Sequence, residues 1–115
     1  MVPSFTPLFQ FSNQLAVHLF AHFVWNAAVL IADLIGAGKF SVHKQSVLEL
    51  GAGAGLPGIL SILEGAKNVV LSDYNSPEVL NNLERNVKEN IPDSLKHAIK
   101  VEGHTWGEYD CSILQ

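Results

Sequence analysis

The sequence has one cysteine, Cys111, in 115 residues. A single thiol excludes an intramolecular disulfide framework and every zinc site built on several cysteines. It also fits a reducing compartment, so we expect a cytoplasmic protein. Basic residues are few as well, because seven Lys and Arg stand against eleven Asp and Glu, and the net charge is −4. The chain therefore has no basic field for nucleic acid, and we expect no nucleic-acid partner.

No hydrophobic run is uninterrupted enough to predict a membrane span. Residues 15–35 have the length of a span, but two histidines, Asn26 and Asp33 interrupt them, and such polar groups are costly in lipid. We predict an N-terminal amphipathic helix over residues 15–35 instead, and no membrane association. The histidines, His18 and His22, would share one helix face, but two ligands do not specify a metal site, so we predict none.

The length bounds the domain organisation. At 115 residues the chain is one domain at most. A strand–helix–strand unit takes about 30 residues or more, so a complete doubly wound domain needs a longer chain, and we expect a C-terminally truncated form. We divide the domain into an irregular arm over residues 1–14, the helix over 15–35 and a partial Rossmann-like core over 46–115.

The core alternates apolar runs with helical patterns. This order predicts an α/β fold, a Rossmann-like parallel sheet with helices on both faces, incomplete, with three to four strands. Strands are predicted at 46–50, 68–72 and 99–102, with the start of a fourth at 109–114, and helices at 56–64 and 76–91. Ser76 is predicted to cap the second of these helices with its side chain, ahead of Pro77 in the first turn. In the last helix the apolar stripe comprises Val79, Leu80, Leu83, Val87 and Ile91. Its polar face is predicted to comprise Asn81, Asn82, Glu84, Arg85, Lys88 and Glu89.

A glycine-rich turn follows the first strand at once, in the pattern Glu49-x-Gly51-x-Gly53-x-Gly55. A strand that runs into glycines and then a helix is how α/β folds build a nucleotide site. Glycines can adopt φ > 0 and let a ligand approach the backbone closely. This turn is therefore the candidate binding loop.

Two cofactors compete for this loop. Gly53-x-Gly55-x-x-Gly58, with Asp73 twenty residues after Gly53, matches the dinucleotide fingerprint and would predict an NAD-dependent oxidoreductase. The acid-then-glycine pattern that begins at Glu49 instead resembles the first motif of class I S-adenosylmethionine-dependent methyltransferases. In both cases Asp73 would hold ribose hydroxyls. A third alternative is a non-catalytic interaction module, since an exposed sheet edge binds other chains readily.

Further motifs favour the methyltransferase. The chain resembles the nicotinamide N-methyltransferase-like, family-16 protein methyltransferases, and among them the fungal N-terminal and lysine methyltransferases of translation elongation factor 1-alpha. The resemblance extends from about His18 to Gly107. It is carried by His22-Phe23-Val24-Trp25-Asn26-Ala27-Ala28, Val47-Leu48-Glu49-Leu50-Gly51-Ala52-Gly53-Ala54-Gly55-Leu56-Pro57, Ser72-Asp73-Tyr74, Asn82-Leu83, Asn86-Val87 and Glu102-Gly103-His104-Thr105-Trp106-Gly107.

The resemblance implies S-adenosyl-L-methionine as cofactor and an N-methylated protein substrate, with elongation factor 1-alpha as a candidate. The residues implied for the methionine end are Glu49, Gly51, Gly53 and Gly55. Those implied for the remainder of the site are Asp73 at the ribose, Tyr74 and Trp106 near the adenine, and Trp25 closing the pocket.

The sequence departs from the family in two places. Phe20-Ala21 stands where the family usually has Trp-Gly, and the chain ends at Gln115, where the family continues into a fourth strand with an acidic, substrate-facing motif. No residue can be assigned as catalytic base.

Overall fold

The computed structural model describes residues 24–108. Its helices are α1 (Asn26–Gly36), α2 (Leu56–Leu63), α3 (Pro77–Asn90) and a short 3₁₀ helix (Asp93–Ala98). Its strands are β1 (Ser46–Leu50), β2 (Asn68–Asp73) and β3 (Ile99–Gly103). The predictions for the arm over 1–14, for the histidines at 18 and 22, and for a fourth strand lie outside the described residues.

The three strands form one parallel sheet in the order β1-β2-β3. Val47 is the register partner of Val69, and Val69 is the partner of Ile99, so apolar side chains of all three strands lie in one row. The carboxyl ends meet at the same edge, where Asp73 pairs with Gly103. The predicted α/β fold with a parallel sheet is confirmed, and each strand lies within one residue of its predicted bounds.

One face of the sheet carries the core. Leu71 is fully buried. It lies against Gly58 of α2 and against Gly55 in the turn before α2. Leu83 of α3 also approaches Gly55. On the opposite face Leu48 and Leu50 are 44% and 57% exposed. The described helices α2 and α3 thus cover the Leu71 face, and helices on the second face stay a prediction.

Helix α1 packs against α2 and joins the core through Ala32 and Ile35. It begins at Asn26, whereas the prediction placed residues 24 and 25 in the helix as well. Trp25 has extended backbone angles instead, with φ −80° and ψ 153°. Val24 packs on the core from this extended segment. Neither Trp nor the β-branched Val is a strong helix former, so tertiary packing outweighs their weak preference.

Two local predictions on α3 are wrong. Ser76 does not cap the helix through its side chain; its hydroxyl instead donates a hydrogen bond to the Glu78 carboxylate at 2.6 Å. Asn82, predicted on the polar face, is buried. The buried side of α3 is wider than the apolar stripe, because it includes two asparagines, Asn82 and Asn86.

Within residues 24–108, no helix has both the length and the apolar character that crossing a membrane requires.

Candidate functional site

A cavity of about 1270 Å³ extends from the carboxyl edge of the sheet, where the segments after the three strands lie, along α1 and β1 to the loop that precedes β1. Ligands of open α/β sheets bind at this edge. All eight residues predicted to hold a cofactor line this one cavity: Trp25, Glu49, Gly51, Gly53, Gly55, Asp73, Tyr74 and Trp106. The structure therefore brings together residues that are up to 81 positions apart in the sequence (Trp25 and Trp106).

The turn between β1 and α2 has the backbone that the glycine pattern predicts. Gly51, Gly53 and Gly55 have φ values of +62°, +59° and +86°, which side chains disfavour. The Ala52 amide extends the sheet by donating to the Ser72 carbonyl at 2.8 Å, and the Gly55 amide closes a turn on the Ala52 carbonyl at 2.8 Å. The loop is thus an ordered turn with hydrogen bonds at both ends.

The Asp73 carboxylate is bound to this turn. Its Oδ2 accepts a hydrogen bond from the Gly53 amide at 2.7 Å, and its Oδ1 accepts one from the Tyr74 amide at 2.6 Å. Two hydrogen bonds orient the carboxylate without exhausting it, because an ionised carboxylate offers about four acceptor positions. The remaining positions can accept the two hydroxyls of a cis-diol.

The Glu49 carboxylate points from β1 to the start of α2. Its Oε1 accepts a hydrogen bond from the Gly58 amide at 2.9 Å. Burial raises the pKa of the Glu49 carboxyl from 4.5 to about 7; the Gly58 hydrogen bond lowers it, and the negative charge of Asp73 raises it further. A carboxyl with this pKa changes its charge near neutral pH, inside the cavity.

The charged side chains that line the described part of the cavity are mainly acidic. Among the described residues, its lining includes two carboxylates, Glu49 and Asp73, and no lysine or arginine. His104 is the described lining residue that could carry a positive charge. The α2 N-terminus, which in dinucleotide folds receives a pyrophosphate, has its Gly58 amide bound to Glu49, and Pro57 has no amide hydrogen. The cavity therefore favours a cationic ligand over an anionic one.

Three aromatic residues lie at the rim of the cavity. Trp25, Tyr74 and Trp106 all line it and are at least half exposed, with Trp106 at 76%. Exposed aromatic faces can stack on a flat ring such as adenine. Their predicted contacts with a cofactor stay predictions.

The sequence reasoning missed two features that support the loop. A Cβ on Gly58 would collide with Leu71 Cδ2 and lie 2.9 Å from Glu49 Oε1, so this glycine lets α2 pack closely on the sheet. From behind the loop, the buried Asn86 amide donates to the Ala54 carbonyl at 3.0 Å. A signal for Asn86 was present, since it lies three residues after Leu83 and four after Asn82 on the buried side of α3.

In the part of the chain that the structure describes, no three His, Cys, Asp or Glu residues are grouped closely enough to hold a metal ion.

Comparison with protein families matches residues 9–113 to the model described as lysine methyltransferase. The chain is 45% identical over 89 residues to the protein N-terminal and lysine N-methyltransferase efm7 of Schizosaccharomyces pombe. The aligned residues cover 77% of this chain and 34% of that protein. It is 44% identical over 85 residues to the protein N-lysine methyltransferase METTL21A of Danio rerio, with 74% and 38% covered. The chain thus spans about a third of the length of these relatives.

A solved structure shows the same fold. The chain aligns with a Pyrococcus horikoshii protein described as a candidate RNA methyltransferase, with a TM-score of 0.50 and 28% identity. The alignment covers 66% of this chain and 34% of that one. The fold of the aligned residues is therefore shared with a protein of that description.

Proposed function

Because the chain belongs to the lysine methyltransferase family, we propose that it forms the cofactor-binding part of an S-adenosylmethionine-dependent enzyme that methylates an amine on a protein. The family and the relatives support methyl transfer and a methyl donor of the S-adenosylmethionine type. The individual cofactor contacts are our assignment.

The observation that carries the choice of cofactor is the charge of the cavity. S-adenosylmethionine has a positive sulfonium, whereas NAD has a doubly negative pyrophosphate. Two carboxylates line the described part of the cavity without a lysine or arginine, and Glu49 occupies the Gly58 amide of α2. This arrangement attracts the sulfonium and repels the pyrophosphate, which supports S-adenosylmethionine over the dinucleotide alternative.

Each of the eight predicted site residues then has a role in cofactor binding. The turn of Gly51, Gly53 and Gly55 lies beside the methionine end, with Glu49 beneath it. Asp73 accepts the ribose hydroxyls on the lone pairs that Gly53 and Tyr74 leave available. At the rim, Tyr74 and Trp106 contact the adenine, and Trp25 closes the pocket.

The chemistry needs little from the protein beyond alignment. A neutral amine would accept the methyl group on its lone pair while the electrons of the methyl–sulfur bond stay on the sulfur, and the methylated ammonium would then release a proton to a base or to solvent. When bound, the cofactor supplies the reactive methyl group, and the residues around it hold it in line with the amine. No described residue is assigned as the base that keeps the amine neutral.

The relatives support the class of methyl acceptor. They are named as methyltransferases of protein N-termini and lysines. We infer a protein lysine or N-terminal amine as the acceptor, with elongation factor 1-alpha as the first candidate and the cytoplasm as the compartment. Mass spectrometry of substrate proteins incubated with a protein that contains the whole domain tests this inference. Methyl transfer to small molecules alone would overturn it.

Calorimetric titration of the 115-residue chain tests the cofactor. We expect saturable binding of S-adenosylmethionine, which carries the positive sulfonium, and none of NAD. Asp73→Ala should weaken binding about 10- to 100-fold, because hydrogen bonds to a charged group contribute roughly 1.5–3 kcal/mol. Asp33→Ala is the matched control, since it removes the same charge from an exposed position of α1 outside the cavity. Binding of NAD alone would reverse the assignment.

A further inference from the structure

Helix α3 contacts the glycine turn from the side away from the cavity. The Asn86 side chain is fully buried, and its Nδ2 donates a hydrogen bond to the Ala54 carbonyl at 3.0 Å across 32 positions of sequence. One turn earlier, Leu83 Cδ1 would lie 2.6 Å from a Cβ on Gly55. Asn86 does not line the cavity. The residue thus touches the binding loop without reaching a ligand.

The contact controls one particular peptide plane. The Ala54 carbonyl belongs to the peptide that joins Ala54 to Gly55, and Gly55 has φ +86°. A glycine can also adopt negative φ, so this plane could rotate without steric penalty from a side chain. The Gly55 amide of this peptide donates to the Ala52 carbonyl within the turn, and the Asn86 amide binds its carbonyl from α3. Asn86 thus favours the orientation in which the carbonyl faces α3, since the buried carbonyl would otherwise lose its partner.

The other side of the turn is tied to Asp73. The Gly53 amide donates to the Asp73 carboxylate, so the turn is held by β2 at the 52–53 peptide and by α3 at the 54–55 peptide. A ligand that contacts the turn backbone requires both peptides in fixed orientations. Fixing them in advance lowers the entropy lost on binding.

We propose that Asn86 is a positioning residue, which holds the 54–55 peptide of the glycine turn in the orientation that binds S-adenosylmethionine. The choice of ligand rests on the proposed function. A residue that only stabilises the fold would change the melting temperature, whereas a positioning residue also changes ligand affinity in protein that remains folded.

Two variants remove the donor. Asn86→Leu keeps the branched shape without an amide, and Asn86→Ser is smaller and too short to reach the Ala54 carbonyl. The matched control is Asn90→Ala, because Asn90 is on the same helix and its side-chain amide donates to the backbone carbonyl of Asn86 at 2.8 Å rather than to the turn. The probe is S-adenosylhomocysteine, titrated at a temperature where each variant is folded by its melting curve.

We expect the two Asn86 variants to bind S-adenosylhomocysteine about tenfold more weakly than the wild type, and Asn90→Ala to stay within about twofold. Amide hydrogen exchange should accelerate at residues 53–55 in the Asn86 variants and stay unchanged at Val69 and Leu71 in β2. A folded Asn86 variant with wild-type affinity would overturn the proposal, whatever its melting temperature.

Two further readouts separate the remaining outcomes. If neither Asn86 variant folds, the side-chain amide signals of Asn86 in the wild type decide; they should shift when S-adenosylhomocysteine binds and those of Asn90 should not, and an unchanged Asn86 would overturn the proposal. If the wild type binds no S-adenosylhomocysteine, the proposed function fails. The exchange of residues 53–55 in folded Asn86→Leu without ligand then tests the positioning role alone, and unchanged exchange overturns it.

Discussion

The Glu49 carboxylate makes a hydrogen bond that connects two elements of the fold, but burial disfavours its negative charge. Its hydrogen bond to the Gly58 amide joins β1 to α2, but burial raises its pKa to about 7. Asp73 adds negative charge to the same cavity. Above about pH 7, the ligand-free protein therefore holds two negative groups that a cationic ligand would stabilise.

We predict that Glu49→Gln changes how stability depends on pH. Since the Glu49 pKa is about 7 in the folded chain and 4.5 in its reference state, the folded state binds more protons between these values, and wild-type stability falls as pH rises from about 4.5 to 7. The loss is at most roughly 3 kcal/mol. The substituted glutamine keeps an acceptor for Gly58 without the charge, so the variant should be more stable than the wild type at about pH 8 and closer to it at about pH 4.5.

Urea unfolding of both proteins at about pH 4.5 and about pH 8 measures this difference. Glu64→Gln is the control, because it makes the same change at an exposed position at the end of α2. A stability difference between Glu49→Gln and the wild type that is equal at both pH values would contradict the prediction.

At the scale of elements, the close packing of α2 on the sheet depends on Gly58. Alanine is the better helix former by about 1 kcal/mol. However, its methyl group would meet Leu71 Cδ2 and the Glu49 carboxylate, and such overpacking costs about 1–3 kcal/mol. Leu71 is fully buried and has little room to move. The steric effect should therefore exceed the gain in helix propensity.

We predict that Gly58→Ala lowers the free energy of unfolding by up to about 2 kcal/mol, because overpacking costs about 1–3 kcal/mol and the gain in helix propensity offsets about 1 kcal/mol of it. Chemical denaturation measures this change, and S-adenosylhomocysteine affinity should fall with it as Glu49 is displaced. A variant more stable than the wild type would mean that α2 can move away from β2 at little cost.

The path of α3 explains why the site needs long-range contacts. Asp73 precedes the helix and Asn86 lies on it, and both bind the turn that follows β1. The packing of α3 against the sheet thus determines the backbone of a loop more than twenty residues away.

At the scale of the whole molecule, ligand binding and folding should be coupled. A ligand that binds the folded state alone stabilises it by RT ln(1 + [L]/Kd), about 2.7 kcal/mol at one hundred times Kd. We predict that S-adenosylhomocysteine at this ratio raises the melting temperature by about 10 °C, given shifts of roughly 4 °C per kcal/mol for a domain of this size. NAD at the same concentration should cause no shift.

Differential scanning fluorimetry over a ligand series measures the effect. Asp73→Ala should need a correspondingly higher S-adenosylhomocysteine concentration for the same shift. An equal rise in melting temperature with NAD would show that the cavity accepts a negative pyrophosphate.

Much of the fold and the outline of the site could be predicted from local pattern. The strand at Ser46–Leu50, the three glycines with positive φ and the helix that begins at Leu56 follow from residues that are neighbours in the chain. Parallel alternation then places the carboxyl ends of the strands at one edge, and this explains why all eight predicted residues line one cavity. Their contacts with a cofactor stay predictions.

The two wrong predictions concern side chains that had two possible arrangements, a choice of hydrogen-bond partner for Ser76 and a choice of helix face for Asn82. Ser76 has two acceptable hydrogen-bond partners close by, and it donates to Glu78 instead of accepting from the backbone of the helix. Asn82 has a polar side chain, but its position on α3 faces the protein interior. Composition alone does not say which partner or which face prevails.

The amino-acid sequence is enough to specify the alternation of strands and helices, the glycine turn with positive φ and the acids near the ends of β1 and β2, because these depend on backbone preference and on nearest neighbours. The hydrogen bonds of Glu49 to Gly58, of Asp73 to Gly53 and of Asn86 to the Ala54 carbonyl depend instead on tertiary packing. These contacts join residues 9, 20 and 32 positions apart. They form only when helices pack on the sheet and exclude the water that would otherwise satisfy the same groups.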